Sequence, residues 1–218
     1  MKLVCGIDEA GRGPVIGPLV IAGVAVNKDG LNKLKEIGVK DSKLLPHSKR
    51  IELSGKIKEI AESYEILIVE PKEIDDAVDG NNELNLNWLE GIKSAEIINK
   101  LNPEKVILDC PSPNTGKYKE FVRKYINNRK IEIIAEHKAD VNFSVVSAAS
   151  ILAKVVREDE MDKLKKKYGN IGPGYTSNEI TQKFIKENFD KHPEIFRKSW
   201  STFKNAKITK EQKSLSDF

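Results

Sequence analysis

Lys2-Leu3-Val4-Cys5-Gly6-Ile7-Asp8, followed at once by Glu9-Ala10-Gly11-Arg12-Gly13-Pro14, sets the pattern for the whole chain. Lys2–Asp8 predicts a strand that closes on two adjacent acids. A Gly/Pro-rich turn then leads into Pro18–Asn27, a near-continuous apolar run suited to burial on both faces of a sheet. Downstream, Pro46 opens a predicted helix to about Ser63, since proline is tolerated in a first turn. Tyr64–Glu70 predicts a strand, and Asn82 to about Leu101 a helix with Leu84, Trp88, Ile92 and Ala95 at helical spacing. The strand Val106–Asp109 is ended by Cys110-Pro111-Ser112-Pro113. Gly116–Asn128 predicts a helix, Ile131–Ala135 a strand, and Val141–Tyr168 a long helix. Its stretch Val145–Val156 is apolar almost all round, the mark of a central, buried helix. Two more helices, around Asn178–Lys191 and beyond Pro193, follow Gly169. Strands early, then strand–helix units, predict an α/β domain with a mixed sheet flanked by helices. Residues 1–168 form the main domain on this reading, and 169–218 a helical appendage.

The 218 residues are 39% hydrophobic and 32% charged, a globular profile for one large domain or one domain with a modest appendage. No apolar run approaches the roughly 20 residues of a membrane span. The first eight residues hold too short an apolar stretch for a signal peptide. Two cysteines, Cys5 and Cys110, make no disulfide framework; they read as small buried residues in a reducing cytoplasmic interior. Membrane, secreted, fibrous and disulfide-rich classes are thereby set aside. The net charge of +4 is unevenly spread: Arg197, Lys198, Lys204, Lys207, Lys210 and Lys213 face a single acid, Glu211, over the same stretch. A basic end beside a near-neutral body suits a polyanion, and equally a solvated surface helix or frayed tail.

The chemically informative feature is acids placed where they are costly. Asp8 and Glu9 close an apolar strand, Asp109 ends Val106-Ile107-Leu108, and Asp140 stands between Ile131–Ala135 and the buried helix. A carboxylate at the edge of a core is expensive unless it is paired, hydrogen-bonded or bound to metal. Ligand sites in open α/β sheets lie outside strand ends, so these acids can converge on one point, where only a cation would quench their repulsion. Oxygen ligands without His or Cys pairs favour Mg²⁺ or Mn²⁺ over Zn²⁺; His47, His137 and His192 are scattered without zinc spacing. Two such ions about 3.5–4 Å apart would activate water and stabilise a departing oxygen in phosphodiester cleavage. Plainer roles exist for each: Asp140 stands where a helix N-cap is expected, and Asp109 is placed to start the Pro-rich turn. Asp8 and Glu9 also point to opposite faces of a regular strand, so sharing a site requires the strand to end or bulge there.

Gly11-Arg12-Gly13 lacks the patterns of a P-loop or dinucleotide fingerprint, but its glycines let the backbone approach a ligand and offer N–H groups to it. Lys40-Asp41-Ser42-Lys43 offers donors suited to phosphate oxygens, or forms a solvated turn. Gly172-Pro173-Gly174-Tyr175-Thr176-Ser177 puts an aromatic in a tight loop, either as a stacking surface or packed over the loop itself.

Taken together these motifs resemble the type 2 ribonuclease H family. The carriers are Asp8-Glu9-Ala10-Gly11-Arg12-Gly13-Pro14 with Ile16-Gly17-Pro18-Leu19-Val20, then Lys40-Asp41-Ser42-Lys43, Asp109, Ala139-Asp140, Ser147–Val155 and Gly172-x-Gly-Tyr175, in that family's order from about Val4 to Trp200. The compact form, with Arg197-Lys198-Ser199-Trp200, looks archaeal. The resemblance implies a ribonuclease H-like mixed five-stranded sheet flanked by helices, the catalytic domain at 1–168, and a C-terminal helical extension at 169–218. It implies an endoribonuclease that cuts the RNA strand of RNA–DNA hybrids and incises at ribonucleotides embedded in duplex DNA, leaving a 3′-hydroxyl and a 5′-phosphate. Asp8, Glu9, Asp109 and Asp140 would be the catalytic, metal-binding set for two Mg²⁺ or Mn²⁺ ions. Gly11, Arg12 and Gly13 would read the 2′-hydroxyl, Tyr175 would stack on the following deoxyribose, and Lys40, Ser42 and Lys43 would contact phosphates. The implied protein is a cytoplasmic monomer with no membrane partner, working beside replication-clamp-type proteins. Cys110, Pro173, Thr176 and Asn178 depart from the family pattern. Two other readings stand beside it: a metal-dependent phosphatase of small molecules, and a non-catalytic hybrid-binding module.

Overall fold

The computed structural model describes residues 2–39, 45–80 and 84–216, with side chains to residue 208. In the first half, strands β1 (Val4–Ala10) and β2 (Leu19–Val26) are followed by helices α1 (Lys28–Glu36) and α2 (His47–Ile60). Strand β3 (Ser63–Val69) and helices α3 (Pro71–Val78) and α4 (Leu86–Leu101) come next. Then β4 (Lys105–Asp109), α5 (Thr115–Lys124) and β5 (Glu132–Glu136) lead to a one-turn helix α6 (Ala139–Asn142) and the long α7 (Ser144–Tyr168). Helix α8 (Glu179–Asn188), a 3₁₀ turn at Pro193–Ile195 and α9 (Ser201–Ser216) complete the chain.

The five strands form one sheet in the order β3-β2-β1-β4-β5. β1 runs antiparallel to β2, and β4 lies parallel to both β1 and β5, so the sheet is mixed as expected. All eight residues of β2 are buried, which explains the apolar run: both faces are covered. Val20, Ala22 and Val24 share a core with Val146, Ala149 and Leu152 of α7 and with Leu53 and Ile57 of α2. On the opposite face a side chain at Gly23 would meet Ile97 and Leu101 of α4. Gly6 marks a close approach of helix to strand, for a Cβ there would lie 2.4 Å from the Val145 carbonyl carbon. α7 therefore packs its backbone directly on β1.

The packing does not follow the expected division at 168/169. One compact unit takes Met1–Ala10, Val20–Ile68 and Leu86–Arg157; the other takes Gly11–Leu19, Val69–Asn85 and Glu158–Phe218. α7 is continuous, giving Ser144–Arg157 to the first and Glu158–Tyr168 to the second. The second unit has its own core, in which Val15, Ile16 and Met161 join Phe184, Phe196 and Phe203. A bridge pairs Ile16 with Phe196.

Candidate active site

The site begins with unequal strand lengths. β1 extends to Ala10, two residues beyond the end that the sequence pattern places at Asp8. Its pairing with β4 ends at Ile7–Leu108, whereas its pairing with β2 continues to Ala10–Val20. Beyond Ile7, among the described residues, no neighbouring strand flanks β1 on the β4 side. Side chains from both faces of the pleat can therefore turn into the gap at the end of β4, where Asp109 is the last strand residue. The requirement for an end or bulge is met by the partner strand ending instead. Carboxylate oxygens of Asp8, Glu9 and Asp109 lie within 4.8 Å of one another.

Each acid is held differently. Asp8 is only 4% exposed; its Oδ1 accepts from the Glu9 N–H at 2.7 Å, and the Ser150 hydroxyl of α7 also hydrogen-bonds its carboxylate. Lys154 Nζ donates to Ser150 Oγ at 2.6 Å, one turn along the same helix. Burial pushes the Asp8 carboxyl up to about 6; the Ser150 bond opposes that shift and the Asp109 charge adds to it. Asp109 Oδ1 accepts from the Ala139 N–H at 2.8 Å. Asp140 is the next residue, 5% exposed in the first turn of α6. The long helix starts four residues later, so Asp140 does not cap it. Asp140 lies outside the group of three mutually close oxygens, one residue from the amide that binds Asp109.

The donor set suits a hard divalent cation. It offers only oxygen, it is partly withdrawn from water, and its like charges are brought together at a cost that a bound cation would offset. On the other face of the sheet the Glu9 charge reaches Cys110 and Tyr118. Cys5 and Cys110 are buried, and burial pushes the Cys5 thiol up to about 12, so it is an inert core residue.

Gly11, Arg12, Gly13 and Tyr175 belong to the second unit. Gly11 has φ 84°, a left-handed conformation that favours glycine. Gly13 has no such need: a Cβ there would rest in ordinary contact, 3.7 Å from the Tyr175 ring. Tyr175 is 43% exposed, so its ring is open rather than packed beneath the loop. Its loop is tied to the turn that follows Arg12, with Val15 N–H donating to Gly174 O at 2.8 Å. The departures at 176 and 178 are structurally quiet. Asn178 caps α8 by accepting from the Thr181 N–H at 3.1 Å, and Thr176 O accepts from Gln182 Nε2 at 2.7 Å. Lys40, Ser42 and Lys43 lie outside the described residues.

Sequence reasoning alone assigns no role to Ser150, Lys154, Arg197 or Trp200. Ser150 and Lys154 carry a usable signal, being polar at i and i+4 in the stretch Val145–Val156, whose other residues apart from Ser147 are apolar. Arg197 reads in sequence as part of the basic surface segment. It is instead completely buried, its guanidinium donating to Gly17 O, Arg12 O and Gly11 O.

Residues 5–203 match the family model described as Ribonuclease HII. The chain is 45% identical to the ribonuclease HII of Pyrococcus furiosus over 98% of its own length and 96% of that protein's. The crystal structure of ribonuclease H2 from Pyrococcus horikoshii superposes with a TM-score of 0.87 at 38% identity, covering 95% of this chain and 98% of that one. The ribonuclease HII of Archaeoglobus fulgidus, solved in a complex with PCNA, does so with a TM-score of 0.83 at 38% identity, covering 93% and 96%.

Proposed function

The chain belongs to the ribonuclease HII family, which cuts the RNA of RNA–DNA hybrids endonucleolytically, and we propose that it also incises duplex DNA at single embedded ribonucleotides. The proposed reaction is hydrolysis at two divalent ions, leaving a 3′-hydroxyl and a 5′-phosphate. The observation that carries it is the meeting of Asp8, Glu9 and Asp109 oxygens within 4.8 Å. Asp8, Glu9, Asp109 and Asp140 would hold the ions. Bound there, Mg²⁺ or Mn²⁺ would activate water and neutralise charge on the departing oxygen. Asp8 is kept in place by Ser150 and by the Glu9 amide, and Asp109 by the Ala139 amide. Both carboxylates thus meet a cation with little reorganisation.

Substrate choice is assigned to the second unit. Gly11, Arg12 and Gly13 would read the 2′-hydroxyl, the group that separates RNA from DNA. In support, Gly13 is a glycine at a place where the fold itself would accept a side chain, as expected if the space belongs to a ligand. Tyr175, exposed and beside Gly13, would stack on the deoxyribose after the ribonucleotide. Lys40, Ser42 and Lys43 would contact phosphates. We further take the protein to be a cytoplasmic monomer and, by analogy with the Archaeoglobus fulgidus complex, a partner of a sliding clamp. Among the described residues no helix is long and apolar enough to cross a membrane.

The deciding test is Asp109→Asn, which removes one charge at nearly constant shape. With Mg²⁺ or Mn²⁺, incision of a duplex carrying one ribonucleotide should fall at least about a thousandfold, with binding of that duplex retained. Turnover within tenfold of the parent protein would refute the assignment.

A further inference from the structure

The buried Arg197 lies far along the chain from the loop it touches, and its bonds are concentrated there. Nη2 donates to Gly11 O at 2.6 Å, Nη1 to Arg12 O at 2.8 Å and Nε to Gly17 O at 3.1 Å. Its own N–H donates to Val15 O at 2.8 Å. The guanidinium carbon sits 5.0 Å from the centre of the Trp200 ring, and Trp200 Nε1 donates to Gly13 O at 3.0 Å. All these residues belong to the second unit. Three consecutive carbonyls, those of Gly11, Arg12 and Gly13, are thus captured by one pair of side chains.

That capture fixes where the loop's donors point. In a trans peptide the N–H is directed opposite the carbonyl of the same unit. With the Gly11 and Arg12 carbonyls turned onto Arg197, the N–H groups of Arg12 and Gly13 face the other way. The Gly13–Pro14 peptide has no N–H to offer. Three carbonyls in a row on one side is not a regular strand pattern, and the left-handed Gly11 makes it possible. Two adjacent outward N–H groups form a small concave donor site for an oxygen atom. Burying a guanidinium costs several kilocalories per mole before its hydrogen bonds are counted, and an apolar side chain would fill the same space without that cost. A residue that binds the loop by its carbonyls, fork against backbone, serves orientation better than bulk. The strut is itself fixed: Asp75 accepts from the Lys198 and Ser199 N–H groups at 2.9 Å each and from Ser199 Oγ at 2.6 Å.

We infer that Arg197, with Trp200, is the positioning residue for ribonucleotide recognition: it holds the backbone of Gly11-Arg12-Gly13 so that the Arg12 and Gly13 N–H groups face the substrate. The inference rests on the reading of that loop as the 2′-hydroxyl reader. Lysine at 197 keeps the charge but cannot span several carbonyls with a rigid fork. Phenylalanine at 200 keeps a ring beneath the guanidinium and removes only the bond to Gly13 O.

The test compares two dissociation constants in the Asp109→Asn background: for a duplex with one ribonucleotide, and for the same duplex made wholly of DNA. Their ratio does not depend on the fraction of folded protein, so a general loss of stability leaves it unmoved. Arg197→Lys should lower the preference for the ribonucleotide by about tenfold, and Trp200→Phe by several-fold, with all-DNA binding unchanged. Gly13→Ala, which crowds the loop without straining the fold, serves as the control and should remove the preference. If Arg197→Lys does not fold, Trp200→Phe alone decides. An undiminished ratio in the folded variants, with Gly13→Ala still losing it, overturns the role of Arg197 and Trp200. No preference in the Asp109→Asn protein itself, or none lost in Gly13→Ala, overturns the loop reading instead.

Discussion

Asp8 concentrates the electrostatic problem of the site in one side chain. Its carboxyl titrates at about 6 in the folded protein because burial outweighs the Ser150 bond, against roughly 4 in an unfolded chain. The folded state therefore holds the proton more tightly, and between about pH 4 and 6 stability falls as pH rises. Above that window the ionised carboxylate is a fixed cost in metal-free protein. Asp8→Asn should accordingly raise the melting temperature in EDTA at pH 7.5 by on the order of 5 °C, with the gain vanishing as pH drops towards 4. Thermal denaturation across that range checks it; a gain that persists at pH 4 would contradict the account. At this scale the acids are legible because Asp8, Glu9 and Asp109 terminate apolar runs, where charge needs a reason. Arg197 is illegible for the opposite reason. It stands beside Lys198 at the start of the basic segment, and nothing local says that its partners are carbonyls some 180 residues earlier in the chain.

At the scale of elements, what the sequence shows best is what covers both faces of the sheet. The all-apolar β2 and the all-round apolar part of α7 appear as expected, because burial on every side leaves its trace in every residue. Boundaries are less visible. The predicted helix from Val141 is two helices, α6 and α7, joined at the extended Phe143. α1 has no predicted counterpart, for at nine residues, with Gly30 and Leu34 as its buried pair, it leaves helical periodicity little length in which to show. Its capping signals are present nonetheless: Asn27 accepts from the Gly30 N–H, and Gly38 follows the C-terminus with φ 74°. The packing of α7 on β1 carries a prediction of its own. A methyl group at Gly6 would lie within about 2.5 Å of the Val145 carbonyl and the Val146 nitrogen, all backbone atoms. No rotamer change relieves that clash, so the helix must move off the strand. Gly6→Ala should destabilise the protein by about 3 kcal/mol or more, measured as a lower urea midpoint, whereas Gly55→Ala, with open space around it, should not.

For the molecule as a whole, the charge distribution decides how binding responds to salt. The six basic residues between Arg197 and Lys213 read in sequence as a polyanion surface, but the structure withdraws two of them from simple service. Arg197 is fully buried, and Lys204 Nζ lies 2.9 Å from Asp79 Oδ2 in a half-exposed pair. Lys207, Lys210 and Lys213 stand beyond these in sequence. Every phosphate that the protein no longer neutralises lowers the steepness of log K against log salt by about 0.9 on B-form DNA. Removing residues 207–218 takes away three lysines, so the slope for an all-DNA duplex should become shallower by up to about 2.7. Arg197, Trp200 and Phe203 remain in that truncated chain, so the second unit's core and the bonds to its loop stay intact. Because attraction to phosphates is independent of base and sugar, the preference for a ribonucleotide should hold while overall affinity falls. Titrations between 50 and 200 mM salt separate the outcomes. A shallower slope with a constant preference places phosphate contacts on the C-terminal lysines, and an unchanged slope places them elsewhere on the protein.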